Sequence, residues 1–364
     1  MEKTCLAFVL LIFILNPLYA QAPFSEKTQL FWDKNIADLG AVMEEDGDVS
    51  AEFVFVNRAN FPIFIEEIIT DCGCTTASYT RDTLSQNETG SIKISYTPTV
   101  RAGAFSKTVV VKTNIDSEGD SLILEGYNIP YPQSIESHYS NLRGALGFYA
   151  PAINMGDVFT NEPKTKYVDF YNSRDFPLMI NLVKTVIPDH IKLRFLPMVV
   201  PPKSRGLLEI QYDGQMKQDF GFFEEQLEIV LTAEDESPIN LGLMANVLEY
   251  FDPVPVSEVD KVPKLVVSEL EVDLNRIDAN RPVTRVVSLR NEGGRALNIR
   301  KVVSNCECLV FSLKKNDLQV GEQVDLSFTF NPRGRRGIDH KTLTFFSNDP
   351  LNPAQTVVIK SRIQ

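Results

Sequence analysis

Residues 51–57 read AEFVFVN, and 234 positions later residues 285–291 read RVVSLRN. The first stretch alternates and is rich in β-branched and aromatic side chains, the pattern of a half-buried strand. The constant offset holds elsewhere without a gap. Asn57 recurs as Asn291, Cys72 as Cys306, Pro98 as Pro332, Gly103 as Gly337, Lys107 as Lys341 and Asn114 as Asn348. A single register over that length makes the first and last segments copies of one unit. A more diverged middle copy lies at about half the offset: Leu39-Gly40 recurs as Met155-Gly156, Phe61-Pro62 as Phe176-Pro177 and Tyr96 as Tyr212.

Each copy reads as strands. In the first, Ile63 to Ile69, Ile92 to Tyr96, Val109 to Thr113 and Ser121 to Glu125 follow the opening run. The last copy repeats the set, with turn signals at 291–294 (NEGG), 331–332 (NP) and 348–350 (NDP). No helical period persists. About seven short strands in ~100–115 residues predict an immunoglobulin-like antiparallel β-sandwich. The fold expected is all-β: three tandem immunoglobulin-like sandwiches joined by short Pro-rich linkers, NIPYPQ at 128–133 and FDPVPVSEVDKVPK at 251–264. The expected divisions are residues 1–20, a cleaved signal peptide; 21–130, unit 1 with Cys-Gly-Cys; 131–250, unit 2 without cysteine; and 251–364, unit 3 with Cys-Glu-Cys.

The signal peptide rests on Lys3, the apolar run Leu6 to Leu15 broken by Asn16-Pro17, and Ala20 before Gln21. No other apolar run approaches the ~18 residues a membrane helix needs, so the mature chain is expected to be exported, without a transmembrane segment. The 364 residues carry a net charge of −12, divided as −9 over 21–130, −6 over 131–250 and +3 over 251–364. An acidic majority argues against nucleic-acid binding.

Loss of Cys5 with the signal leaves Cys72, Cys74, Cys306 and Cys308, in DCGCTT at 71–76 and NCEC at 305–308. An even count in an exported protein favours disulfides. Cα atoms two apart in a flat strand are ~6.5 Å apart, near the ~6.8 Å limit for a disulfide, so a bridge within a pair needs a bend. Gly73 allows one more readily than Glu307. Two thiolates also suit copper(I), and a thiol-redox role is a third reading, although the usual redox spacing is C-x-x-C. Where the middle unit should carry its pair it reads Ile187-Pro188-Asp189. The fold does not need sulfur there, which favours a structural corner inherited by duplication.

The stretches DCGCTT, ISYTP and GAFSKTVVVKTN, with their counterparts NCEC, FTFNP and FFSNDP, resemble a bacterial exported family, domain of unknown function 1573, marked by a Cys-Gly-Cys-Thr motif. Its relatives are the immunoglobulin-like domains of Hydin and major-sperm-protein type. The resemblance covers units 1 and 3 and implies an envelope protein of Bacteroidetes-like bacteria. Glu307 replaces the motif glycine, and unit 2 lacks the motif.

No phosphate loop, triad or zinc-protease helix motif occurs. The chain is expected to be a non-enzymatic scaffold or adaptor, periplasmic or associated with the outer membrane. It would bind partner proteins of an envelope or outer-membrane complex, with no cofactor, metal or small-molecule substrate. A copper-binding or thiol-redox protein, and a strand-donating chaperone-like binder, are the alternatives. Arg333, Arg335 and Arg336, with Arg300 and Lys301, are the residues expected to meet a partner or an anionic surface.

Overall fold

The structure is a computed structural model, and it describes residues 28–98, 102–232 and 238–364. The proposed signal peptide lies outside the described residues. Among those described, no helix is long and apolar enough to cross a membrane.

The first sandwich contains β1 (Leu30–Trp32), β2 (Ile36–Met43), β3 (Val49–Asn57), β4 (Ile65–Thr70), β5 (Thr75–Tyr79), β6 (Thr89–Tyr96), β7 (Gly103–Thr113) and β8 (Asp116–Ile129). One sheet has the order β1-β3-β6-β5 and the other β2-β8-β7-β4. The alternation in AEFVFVN is realised: Phe53, Phe55 and Asn57 are buried while Val54 and Val56 are only partly so. Each buried phenylalanine contributes about 1.5–3 kcal/mol of apolar burial. Trp32 is buried against Phe55, and its Nε1–H donates to Asp120 Oδ2 at 2.8 Å.

The second sandwich contains β9 (Asn141–Arg143), β10 (Leu146–Phe148), β11 (Ala152–Phe159), β12 (Lys164–Asn172), β13 (Ile191–Leu196), β14 (Arg205–Tyr212), β15 (Gly221–Ile229) and β16 (Ile239–Leu248). Its sheets run β13-β14-β12-β10-β9 and β11-β16-β15. The third contains β17 (Leu265–Val267), β18 (Glu271–Ile277), β19 (Val283–Asn291), β20 (Leu297–Ser304), β21 (Leu309–Leu313), β22 (Asp317–Leu318), β23 (Gln323–Phe330), β24 (Gly337–Ser347) and β25 (Ala354–Ile363). Its sheets run β17-β19-β23-β21 and β18-β25-β24-β20-β22. Three separate apolar cores fill the three sandwiches.

The sandwiches are antiparallel but for one pair each. β2 runs parallel to β8, β11 to β16 and β18 to β25. Each of these pairs carries a register shift at the same place. There Gly40, Gly156 and Asn275 have φ of 66°, 69° and 58°. Each donates its N–H to the side chain two residues back, Asp38, Asn154 or Asp273, at 2.7–2.8 Å. Glycine and asparagine are the residues that tolerate this left-handed backbone, and the bulge explains why Leu39-Gly40 and Met155-Gly156 mark the repeat.

A second recurring device is a buried asparagine at the end of an inner strand. Asn57 Nδ2 donates to the carbonyls of Phe61 and Leu84, and its Oδ1 accepts from Ala59 N. Asn291 does the same with Arg295, Leu318 and Gly293. Asn172 serves Phe176, Val200, Pro201 and Arg174 in the middle sandwich. One amide thereby ties together backbone groups of two connections.

The described residues divide into two compact units, up to Gln133 and from Ser134 onward. The end of the proline-rich stretch between the second and third sandwiches is packed on the third. Gly294 N donates to Val262 O and Glu292 N to Lys264 O, both at 2.9 Å. A Cβ on Gly293 would lie 2.1 Å from Val262 O, so only glycine admits this approach.

Candidate functional site

The sulfur pairs occupy one corner of the sandwich, where a strand of one sheet crosses to the edge strand of the other. β4 leads into Cys72–Cys74 and then β5; β20 leads into Cys306–Cys308 and then β21. Both bridges close within the pair, with Cα–Cα distances of 5.3 Å and 5.1 Å. The bend that a local bridge requires is a turn. Thr75 N donates to Cys72 O and Leu309 N to Cys306 O. The turn forms around Glu307 as readily as around Gly73, whose Cβ position is open.

The second sandwich has the same turn without sulfur. Ile191 N donates to Pro188 O at 2.9 Å, and Asp213 N to His190 O, as Thr97 N does to Cys74 O and Asn331 N to Cys308 O. Strand register agrees: Thr75 faces Tyr96, Ile191 faces Tyr212 and Leu309 faces Phe330. The positions of the cysteine pair are therefore Pro188 and His190, one residue beyond the Ile187-Pro188-Asp189 frame read from the sequence. Ile187 packs on the core instead.

The corners differ in charge. In the third sandwich, Arg335 Nη2 donates to Cys306 Sγ at 3.1 Å and its Nη1 lies 3.5 Å from Asp339 Oδ2. Lys341 bonds Asp339 from the other side. In the first sandwich, Cys72 and Cys74 line a cleft with Tyr96, Phe105, Lys107 and Asn128. Tyr96 stacks on Phe105 at 4.2 Å, and its hydroxyl accepts from Asn128 Nδ2.

In the second sandwich the corner is acidic. Glu225 stands where Lys107 and Lys341 stand, and Asp219 where Arg335 does. Glu225 Oε1 meets His190 Nε2 at 3.2 Å, Tyr212 Oη at 3.3 Å and Lys217 Nζ at 2.7 Å. Burial, and then the Lys217 charge, push His190 below its ordinary pKa despite Glu225. Burial and the Glu225 carboxylate push the Tyr212 hydroxyl up. Burial raises Glu225, but Lys217 and His190 outweigh it and hold the carboxyl low. The sequence reading missed this cluster; its signal was the alignment of Tyr212 with Tyr96, which places His190 at the cysteine position.

Of the basic residues expected to meet a partner, Arg300 and Lys301 are engaged within the chain. Arg300 grips Glu249 with two bonds at 3.0 Å and 3.1 Å. Lys301 Nζ bonds Asp219 Oδ1 at 2.6 Å and Phe220 O at 3.1 Å. Phe220 stacks on Phe346, ring centroids 6.2 Å apart. These contacts join the β20 face of the third sandwich to the Gly221 edge of the second. Arg335 turns inward to Cys306, while Arg333 and Arg336 are exposed. Ile338 beside them is 72% exposed.

Three solved structures match parts of the chain. A protein of unknown function from Porphyromonas gingivalis W83 is 13% identical, covers 60% of this chain and 100% of its own, and gives a TM-score of 0.45. The ASH/PapD-like domain 7 of human CEP192 is 12% identical over 31% of this chain and 92% of its own, with a TM-score of 0.24. WR4, an MSP family member of C. elegans, is 15% identical over 28% and 97%, with a TM-score of 0.21. No curated protein matches the chain. Residues 30–128 and 265–363, the first and third sandwiches and together more than half of the 364 residues, each match the family described as "Protein of unknown function (DUF1573)", and the chain belongs to that family.

Proposed function

We propose that the protein is an exported, non-enzymatic adaptor that binds protein partners in a bacterial cell-envelope complex. The observation that carries this reading is the joint inside the second compact unit. There the strand edge that opens with Gly221 holds a sheet face of the next sandwich through ion pairs and a phenylalanine stack. The matching edge of the third sandwich opens with Gly337 and carries Arg333, Arg336 and Ile338 exposed to solvent. An edge of the kind that binds protein in one sandwich is thus free, basic and flanked by an apolar side chain in the other. Its partner is an acidic protein surface, attracted by charge.

The test is native electrophoresis of gently solubilised envelopes containing the full chain. A complex is expected with the unaltered protein and is lost in Arg333→Glu/Arg336→Glu. Weakening by salt accompanies it, because exposed pairs are screened. A complex that persists unchanged in the variant and at high salt rules out the basic edge as the contact. A chain found only free rules out the adaptor.

A further inference from the structure

In the third sandwich three exposed side chains form a row across β18, β25 and β24. Arg276 pairs with Arg362 between the parallel strands, and Arg362 with Ile338 between the antiparallel ones. Their neighbours Ile277 and Ile363 are buried, so the row lies on the outer face of the sheet. The next row on that face is Asp273, Lys360 and His340, and the two rows line a shallow groove. Lys360 bonds Glu271 at 2.6 Å, and Asp273 Oδ1 accepts from Asn275 N at 2.7 Å. Among the described residues, neither Arg276 nor Arg362 has an ion pair or a side-chain hydrogen bond.

The other sandwiches fill the same register differently. In the second, Asp157 faces Asn246 and Asn246 faces Phe222. Asn246 Nδ2 donates to Asp157 Oδ1 at 2.8 Å, so that pair satisfies itself. In the first, the row is Ala41, Tyr127 and Ala104. Only the third sandwich sets like charges directly opposite each other in this row, an arrangement that weakens a sheet. The fold builds the row without arginine twice, so the sheet itself does not require the pair.

Ile338 belongs both to this row and to the edge that carries Arg333 and Arg336. The positive charge of the edge thus continues across the sheet face. We propose that the acidic partner lies across this row, with a carboxylate side chain held between Arg276 and Arg362 and an apolar side chain against Ile338. The inference rests on the adaptor reading and gives the contact its chemistry. A carboxylate accepts the forked donors of a guanidinium and offsets the repulsion between the two arginines. The neighbouring rows favour a protein segment over a uniformly anionic surface. Asp273 stands in the second row and Glu271 in the third. Anionic headgroups would set negative charge against both, whereas a protein segment can place its acidic side chain over the arginine row alone.

The experiment uses the full chain in native envelopes, with a photoreactive benzoylphenyl side chain in place of Ile338. Irradiation is expected to give a covalent protein adduct. Its yield is expected to fall at least about tenfold in Arg276→Glu/Arg362→Glu, since attraction becomes repulsion, and to fall at high salt. Arg276→Gln/Arg362→Gln is the folding control. With the repulsion gone, the purified variant is expected to melt no lower than the unaltered chain, while its adduct is also reduced. A lower melting temperature would show that the arginines serve the fold and would overturn the proposal. So would an adduct that ignores both swaps, no adduct, or an adduct with lipid in place of protein. Flotation of the purified chain with phosphatidylglycerol vesicles, dependent on Arg276 and Arg362, would likewise remove a protein segment as the occupant. Native electrophoresis separates this failure from failure of the adaptor. A complex lost in Arg333→Glu/Arg336→Glu but unaffected by Arg276→Glu/Arg362→Glu overturns this contact and leaves the adaptor standing. A chain found only free overturns both.

Discussion

Asn291 is fully buried, yet it is polar because it bonds two carbonyls and one N–H at one end of its sandwich. Asn291→Ala leaves those groups in an apolar surround. At about 1–3 kcal/mol for a buried group left unpaired, a loss of about 3 kcal/mol is expected for that sandwich, since the costs do not add in full. Denaturant unfolding of the variant checks this, and Asn291→Asp should recover only the bond that Oδ1 accepts. The offset that links Asn57 to Asn291 was visible in the sequence. The reason for it was not, because the partners lie 4 and 27 residues away along the chain. Asn172 lies at the same offset of 115 from Asn57 as Phe176-Pro177 from Phe61-Pro62, so the sequence marked its place but not its bonds.

At the scale of elements, the strands were legible because alternation has a period of two wherever one face is buried, as in β3. The corner was legible as a place but not in its contents. Counting from the flanking pattern set the middle unit's substitute one residue early, and a slip of one along a strand exchanges its two faces. Ile187 thus appeared where Pro188 belongs, and His190 was hidden. That corner gives the middle sandwich a pH dependence with a definite sign. His190 has its pKa lowered on folding, so the unfolded chain binds the extra proton below about pH 6.5 and stability falls as pH drops through that value. Glu225 and Asp219 are also lowered and act in the same direction below about pH 4.5. Thermal melting at successive pH values should show a first decline starting near pH 6.5. His190→Gln should remove that decline and keep the later one.

At the scale of the molecule, constant offsets showed three repeats, and counting charges showed a sign that changes along the chain. Neither could show that Arg300 and Lys301 are engaged, since Glu249 and Asp219 lie 51 and 82 residues away. Charge clusters look alike in sequence whether they face water or a neighbouring sheet. Reversing the joint with Arg300→Glu/Lys301→Glu should open the second sandwich from the third. The expected signature is new protease cleavage within residues 251–264, with the cores of both sandwiches intact. Unchanged resistance would mean that the linker's own bonds to the 291–294 turn suffice. The parallel pairs have a further consequence. Ile36 is partnered by Ile123, Ala152 by Gly242 and Glu271 by Val358. Each sandwich is thus fastened by its last strand to its first full-length one. A ribosome making the chain has to deliver nearly a whole sandwich before the early strand finds its mate, and it does so three times. The nascent protein therefore carries a waiting strand for most of its synthesis, open to any helper that shields such edges.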